Sequence, residues 1–574
     1  MTTENHANIA LSLTDRARRQ PEVQAVICPQ GRDRYGHVSY THLNYRQLDG
    51  ESDRLAWVLA RQGIGAGTRT VLMVKPGLEF FALTFALFKV GAIPILIDPG
   101  MGVKNIRTCL SEVAPEAFIG IPKAHLARLL LGWGKQTLRC RISTGSALFS
   151  LPLLGTDSLT TVLAASPQLG PYPCFAADDT TLAAILFTSG STGSPKGACY
   201  SHANFNAQIS ALKGLYQIQP GEYDLCTFPL FALFAPALGM TAVVPDMDAT
   251  RPGQVNPERI FEALDNFTIH NLFGSPALLR RLTAYGHHYP DTCRPRLASL
   301  KRVISAGAPV PATVLEELST LLPHDTQIFT PYGATESLPV CSIGSHEILR
   351  QTRTLTDQGR GICVGRPVAG LDVQVIAIED GPIANWEQAP KSAVCAIGEI
   401  CVRGPQVTRA YDAKPEATAL AKVPCADGGF YHRMGDVGYF DDQGRLWFCG
   451  RKAHRVEIGN NTLFTIPCEA VFNTHPDVFR TALVGCGARA QRQAVLCIEL
   501  NPGVNRSRKP AIIAELQAIQ RQFPHTQAIS AFLFHPRFPV DIRHNAKIFR
   551  EKLSLWAEKQ LHRSSLFAFE RTRS

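Results

Sequence analysis

Between Val38 and Asp98 the chain alternates compact apolar runs with helical spacing, and that alternation restricts the fold more than any other feature. Leu43 to Gln62 place Leu48, Leu55 and Leu59 on one helical face, and Gly63 follows as a stop. Thr70 to Val74 reads as a short buried strand, LEFFALTFALFKVGA from Leu78 as a buried helix, and IPILID as the next strand. Short apolar strands separated by helices call for parallel β-α-β units whose sheet is covered on both faces. The alternation resumes from Leu182 to Val310, whereas Gly134 to Thr180, rich in Ser, Gly, Pro and Thr, reads as a surface excursion. Near Gly361 the texture changes to short strands and turns, with Asp442-Gln-Gly444 marking a hairpin. Beyond Arg451 a fresh mixed pattern begins: strands TALVG and AVLCIEL, a helix from Ala511 to Gln522 and a terminal helix from Ile548 to Leu561. The expectation is an α/β protein, α+β in part, with a large domain of doubly covered sheets over residues 1–451 and a small one over 452–574.

The bulk numbers fit this layout. A chain of 574 residues has room for two to four domains, and its mean hydropathy is near zero. The amino terminus lacks the apolar block of a signal peptide, and the longest apolar stretches are too short or too broken by Pro and Gly to span a bilayer. A cytoplasmic protein without a transmembrane segment is expected. The sixteen cysteines are scattered, with no CxxC pair and no zinc spacing, and read as small buried hydrophobes. Almost all of the net charge of +10 lies from Lys452 onward, where 18 Lys and Arg face 9 Asp and Glu. Such a basic segment suits a nucleic acid, an anionic surface, an acidic partner or a polyphosphate. It carries no nucleic-acid recognition motif and no interleaved aromatics, which argues against the first.

A polyphosphate is favoured by the stretch ILFTSGSTGSPKGACY, Ile185 to Tyr200. Gly190 and Gly193 let the backbone approach a ligand, while Thr188, Ser189, Ser191 and Thr192 supply hydroxyls and Lys196 a point charge. Ligands of parallel sheets sit in loops at the carboxyl ends of strands, and this loop follows such a strand. It is not a Walker A loop, because Lys196 is preceded by Pro195 and followed by Gly197.

Residue for residue, the loop resembles the phosphate-binding signature of the adenylate-forming superfamily, which includes acyl-CoA synthetases, luciferases and peptide-synthetase adenylation domains. Further stretches resemble that superfamily in the same order. In TPYGATES, Thr330 to Ser337, the resemblance sets Tyr332 at adenine, Thr335 at the α-phosphate and Glu336 on Mg²⁺, with Gly333 also among the nucleotide-binding residues. SAGAPV, with Gly307, Ala308 and Pro309, is similar to the wall of the adenine pocket. GEICVRGPQVTRAY matches a stretch with a structural role only. Asp436 in YHRMGDVGYF and Arg451 in FCGRK fall on ribose contacts, and Lys547 in PVDIRHNAKIFR falls on the adenylation lysine. The resemblance implies ATP and Mg²⁺, a catalytic set of Thr188, Lys196, Glu336 and Lys547, and a small carboxy-terminal domain that rotates between half reactions.

Departures concern the acceptor. After Arg451, coenzyme A ligases continue with an acidic or lysine hinge and an Ile-Lys-x-x-Gly loop; here Ala453 stands at the hinge and Glu457 replaces the lysine. In FPLFALF, Ala232 occupies the place of a gating histidine. These stretches, with HRMGDVGYFDDQGRLWFCGRK and FPVDIRHNAKI, resemble the β-lactone synthetases of bacterial long-chain olefin biosynthesis. That resemblance implies a 2-alkyl-3-hydroxy fatty acid whose own hydroxyl attacks the acyl-adenylate, and an assembly with other enzymes of the olefin pathway. A fatty acyl-CoA or acyl-carrier ligase and a silent nucleotide-binding scaffold stay open as alternatives. Phe228, Phe231 and Phe234 fit an alkyl pocket or the core equally well. No general base stands out; His202, His454 and His544 lie near motifs.

Overall fold

The computed structural model describes residues 7–97, 99–145, 155–167, 169–188, 195–228, 234–393, 395–488, 492–540 and 548–571. Two seven-stranded sheets dominate the first part. One runs, in spatial order, through Asp157–Ser158, Cys140–Ser143, Ala117–Gly120, Arg69–Met73, Ile93–Leu96, Leu182–Phe187 and Gly197–Ser201; all neighbours are parallel except the last pair. The other runs through Gln327–Phe329, Arg302–Ile304, Asn271–Phe273, Tyr223–Cys226, Thr241–Val243, Gln24–Arg32 and Val38–Asn44.

The helix Leu78–Lys89 explains why these sheets need cover on both sides. Every residue from Phe80 to Lys89 is buried, so it has no solvent stripe at all. Lys89 is tolerated there because Asp49 and Asp53 of helix Tyr45–Arg61 meet its ammonium at 2.7 and 2.5 Å.

Two expectations need correction. Val38–Asn44 does not open a parallel unit with Arg69–Met73; it pairs antiparallel with Gln24–Arg32 in the other sheet, because the chain turns at Asp33–Gly36. The region from Gly134 to Thr180 is not only a surface excursion. It adds Cys140–Ser143 and Asp157–Ser158 to a sheet edge and a helix, Leu159–Ala164; Ile142 and Leu159 are buried in the core despite the polar composition around them.

From Tyr332 to Arg451 the chain forms an eight-stranded sheet in which Phe430–Phe440 and Leu446–Arg451 make the expected hairpin. The 3₁₀ turn Lys452–His454 then leads into a two-stranded ribbon, Val456–Ile458 with Asn461–Leu463. The three-stranded sheet Val478–Cys486, Gln493–Leu500 and Ile529–Phe534 follows, packed by helices Thr465–Phe472, Lys509–Gln522 and Arg550–Arg571. This last part has its own apolar cores around Phe472, Leu496 and Ile512 and around Val484, Phe538 and Leu553. Its basic charge is partly answered internally: Glu469 pairs with Arg550 and Glu499 with Arg480. Eleven of the sixteen cysteines are buried, which keeps their thiols protonated and inert. No described helix is long and apolar enough to cross a membrane.

Candidate active site

Strand Leu182–Phe187 delivers Thr188, and strand Gly197–Ser201 begins just after Lys196. The two ends of the loop between them are pinched together. Thr188 N–H donates to the Lys196 carbonyl (2.9 Å), and Lys196 N–H donates to Thr188 Oγ1 (3.2 Å). The loop body, Ser189, Gly190, Ser191, Thr192 and Gly193, lies outside the described residues, as do Phe231, Ala232, His544 and Lys547.

Thr335 and Glu336 form the two-residue turn of a tight hairpin, because Ala334 pairs directly with Ser337. A turn leaves both side chains free of the ladder, so they project where a ligand can reach them. Gly333 sits where the strands close up: a Cβ there would come within 2.6 Å of the Ser337 carbonyl oxygen. The turn is held from outside. Tyr200 donates its phenol to the Thr335 carbonyl, Thr408 N–H donates to the Glu336 carbonyl (2.9 Å), and Tyr411 donates to Glu336 Oε1 (2.6 Å). The other Glu336 carboxylate oxygen accepts no hydrogen bond from a described residue.

The antiparallel register of the next hairpin sets Asp436 opposite Arg451. Asp436 is 2% exposed. Tyr332 donates to its Oδ2 (2.7 Å); Oδ1 lies 3.0 Å from Arg451 Nη1 yet accepts no hydrogen bond from a described residue. Burial pushes the Asp436 carboxyl up from its usual range while Arg451 and Tyr332 pull it down, and Asp436 in turn holds the Arg451 guanidinium above its own. A buried carboxylate oxygen with spare lone pairs suits a ligand hydroxyl. Gly307, Ala308 and Pro309 follow strand Arg302–Ile304, next to Gln327–Phe329, whose continuation carries Tyr332. Gly307 takes φ of +94°, which a side chain would oppose.

The structure therefore brings Thr188, Lys196, Thr335, Glu336, Tyr332, Asp436 and Arg451 into one neighbourhood. It also adds residues that motif matching did not single out. Tyr411, the last residue of GEICVRGPQVTRAY, lies between the two halves: Lys196 Nζ is 4.9 Å from its ring centroid while its hydroxyl is on Glu336. Behind it Lys422, 8% exposed, donates to the Thr408 carbonyl and lies 5.4 Å from the Phe430 ring centroid. Burial pulls the Lys422 ammonium down to about 7 against the opposing pull of Glu336. His432 is buried alongside, and burial, reinforced by Lys422, holds its imidazole well below the usual range. No sequence signal marked Lys422 or His432, since their role depends on what surrounds them.

Of the histidines considered as bases, His202 is a core residue. Its Nδ1 accepts from Ile9 N–H (3.2 Å), its ring meets Phe88 edge-on, and burial pulls it down to about 4. His454 faces Glu551. Phe228 and Phe234 both pack against the main core. At the turn after Arg451, Lys452 Nζ reaches Glu399 Oε2 (3.1 Å) and Arg455 pairs with Asp380 (2.6 Å).

Comparison with known proteins agrees with this geometry. The sequence profile described as AMP-binding enzyme matches residues 13–412. The chain is 49% identical over 558 residues to the olefin β-lactone synthetase of Xanthomonas campestris pv. campestris, spanning 96% of this chain and 98% of the relative. It is also 49% identical over 562 residues to that of Stenotrophomonas maltophilia, spanning 97% and 99%. Among solved structures, the amide bond synthetase McbA of Marinactinospora thermotolerans superposes with a TM-score of 0.75 at 21% identity, covering 96% of this chain and 99% of that one. ATP-bound MatB of Rhodopseudomonas palustris does so at 0.73 and 18%, with 96% and 99% covered. The fold is thus that of adenylate-forming enzymes. With the pinched loop, the glutamate turn and the buried aspartate in that fold, the chain belongs to the AMP-binding enzyme family.

Proposed function

We infer that the chain uses ATP to convert a 2-alkyl-3-hydroxy fatty acid into an acyl-adenylate and pyrophosphate, and that the 3-hydroxyl then displaces AMP to close a β-lactone. The observation that carries the acceptor assignment is the 49% identity, over nearly the full length of both chains, to two olefin β-lactone synthetases. The chemistry of the site supports the activation step.

A carboxylate approaching an anionic α-phosphate meets a repulsion of roughly 4 kcal/mol at about 4 Å and an effective dielectric near 20. The residues assigned to the phosphates answer it with positive charge and donors. Lys196 and the hydroxyls of the loop hold the pyrophosphate end, Thr335 contacts the α-phosphate, and Lys547 enters between the two anions. Asp436 and Arg451 hold the ribose, with Tyr332 and the Gly307–Pro309 segment at adenine. The donor chemistry also fits Mg²⁺, a hard cation that takes one or two carboxylates and completes its shell with phosphate oxygens and water. The Glu336 carboxylate, with an oxygen free of described donors, would hold it. When bound, the ion neutralises phosphate charge.

Residues 452–574 are assigned as the lid that carries Lys547, and the basic surplus of this part suits the phosphates it would cover. For the second step the nucleophile is already tethered to the carbonyl, so no thiol tunnel is required. Effective molarities on the order of 10⁵ M or more are available to such intramolecular attack, which favours the strained ring. The absence of the acidic or lysine hinge residue and of the loop lysine, replaced by Ala453 and Glu457, fits an enzyme released from coenzyme A. Demand for ATP supports a cytoplasmic site of action, beside the enzymes that supply the hydroxy acid and consume the lactone.

The test is incubation of the purified protein with ATP, Mg²⁺ and a synthetic 2-alkyl-3-hydroxy acid, without any thiol, followed by NMR of the products. Lactone and AMP in equal amounts are expected. Activity that strictly requires coenzyme A or a carrier thiol would replace this assignment with an acyl ligase.

A further inference from the structure

Tyr411 ties the described end of the phosphate loop to the glutamate turn, alongside the bond from Tyr200 to the Thr335 carbonyl. The strand that leaves the loop is in backbone register with the Tyr411 segment: Cys199 N–H donates to the Ala410 carbonyl (3.0 Å) and Asp412 N–H to the Gly197 carbonyl (2.8 Å). Tyr411 N–H in turn donates to Thr418 Oγ1 (3.0 Å). This register fixes the ring beside Lys196. Lys422 Nζ lies 5.9 Å from the same ring centroid and donates to the Thr408 carbonyl, while Thr408 N–H holds the Glu336 carbonyl. The ring is thus fixed through its backbone and has the amino groups of Lys196 and Lys422 within about 6 Å of its centroid. Its hydroxyl donates 2.6 Å to Glu336 Oε1.

We propose that Tyr411, backed by Lys422, is a positioning residue that presets the Glu336 carboxylate on the side of the site that carries Lys196 and thereby sets the affinity of the site for metal-bound ATP. The inference rests on the assignment of Glu336 to the metal made above. A glutamate on a two-residue turn has several rotamers open to it, and ordering them at the moment of binding weakens binding. The phenol removes that cost in advance, through a charge-assisted bond of the stronger class. It occupies one carboxylate oxygen only, so the other keeps its lone pairs for a cation.

The experiment uses the full-length protein and its Tyr411→Phe, Glu336→Gln and double variants. ATP binding is measured by calorimetry with Mn²⁺ in place of Mg²⁺ and again in EDTA, Mn²⁺ environment is followed by electron paramagnetic resonance, and melting temperatures are recorded. Tyr411→Phe is expected to weaken Mn²⁺-ATP binding by roughly 10- to 100-fold, the range of one hydrogen bond to a charged group. ATP binding in EDTA and the melting temperature are expected to stay as in the parent, and the double variant to bind no worse than Glu336→Gln alone. Parent-like Mn²⁺-ATP affinity in Tyr411→Phe, with Glu336→Gln impaired, would overturn the proposal and leave the metal assignment standing. Equal losses with and without metal, or losses that add in the double variant, would overturn it as well. Parent-like affinity in Glu336→Gln would overturn the metal assignment and the proposal with it.

Discussion

Replacing Asp436 by Asn is the sharpest perturbation of the proposed nucleotide site, because the two side chains have the same shape and differ in charge. Asp436 is 2% exposed, receives the Tyr332 hydroxyl at 2.7 Å and keeps Oδ1 3.0 Å from Arg451 without a hydrogen bond from a described residue. If Oδ1 receives the ribose, the variant exchanges charged acceptor bonds for neutral ones. A bond to a charged group contributes about 1.5–3 kcal/mol and a neutral one about 0.5–1.5 kcal/mol, so two ribose hydroxyls lose about 2–3 kcal/mol together. That corresponds to a roughly 30- to 150-fold weaker ATP affinity. The assay is calorimetric binding of ATP and of 2′,3′-dideoxy-ATP to parent and variant. With ATP the two proteins should differ by that factor; with the dideoxy nucleotide the difference should collapse, since the hydroxyls that sense the charge are gone. The guanidinium of Arg451 loses a partner, but it is half-buried and can turn to water, so melting should shift little. A gap that persists undiminished with dideoxy-ATP would show that Asp436 acts through the fold and would refute the ribose assignment.

Lys547→Ala should abolish ATP–pyrophosphate exchange while leaving nucleotide binding nearly intact, and normal exchange would remove Lys547 from the mechanism. His125 and His202 are both buried neutral and held at about 4, below the usual 6.5 of an exposed imidazole. A depressed folded-state value means that their stabilisation is complete above about pH 6.5 and is lost as pH falls toward 4, by roughly 3 kcal/mol for each. Thermal melts across that window should show a falling midpoint, and a flat profile would contradict the assignment of neutral core histidines. Glu469 is 4% exposed and depends on Arg550, with a second contact at 2.9 Å. Arg550→Met should therefore loosen the part of the chain after Lys452 by about 3–5 kcal/mol, read by hydrogen exchange of strand Val478–Cys486, since an unpaired buried carboxylate is left behind. Unchanged protection there would mean that the pair contributes no stability.

Much of the architecture is legible in the sequence. Apolar runs such as Val71 to Met73 and Ile93 to Leu96 are too short for helices and too apolar for exposed strands, so local chemistry determined a covered parallel sheet. The motifs from Thr188 to Arg451 likewise pointed to residues that the structure brings into one neighbourhood. Local pattern could not decide which sheet a strand joins: Val38–Asn44 looks like the opening of a parallel unit and is an antiparallel edge, since pairing depends on where the chain turns back. Nor could it reveal partners distant in sequence. Tyr411 and Glu336 are 75 residues apart, and Tyr332 and Asp436 are 104 apart. A hydroxyl acquires its role only when folding sets a carboxylate within about 3 Å of it, and a lysine such as Lys422 is pulled down only when folding strips its water away. Sequence by itself determined which residue types were on hand for this chemistry; the tertiary structure decided which of them meet, because hydrogen bonds and desolvation act over a few ångströms in space and take no account of distance along the chain.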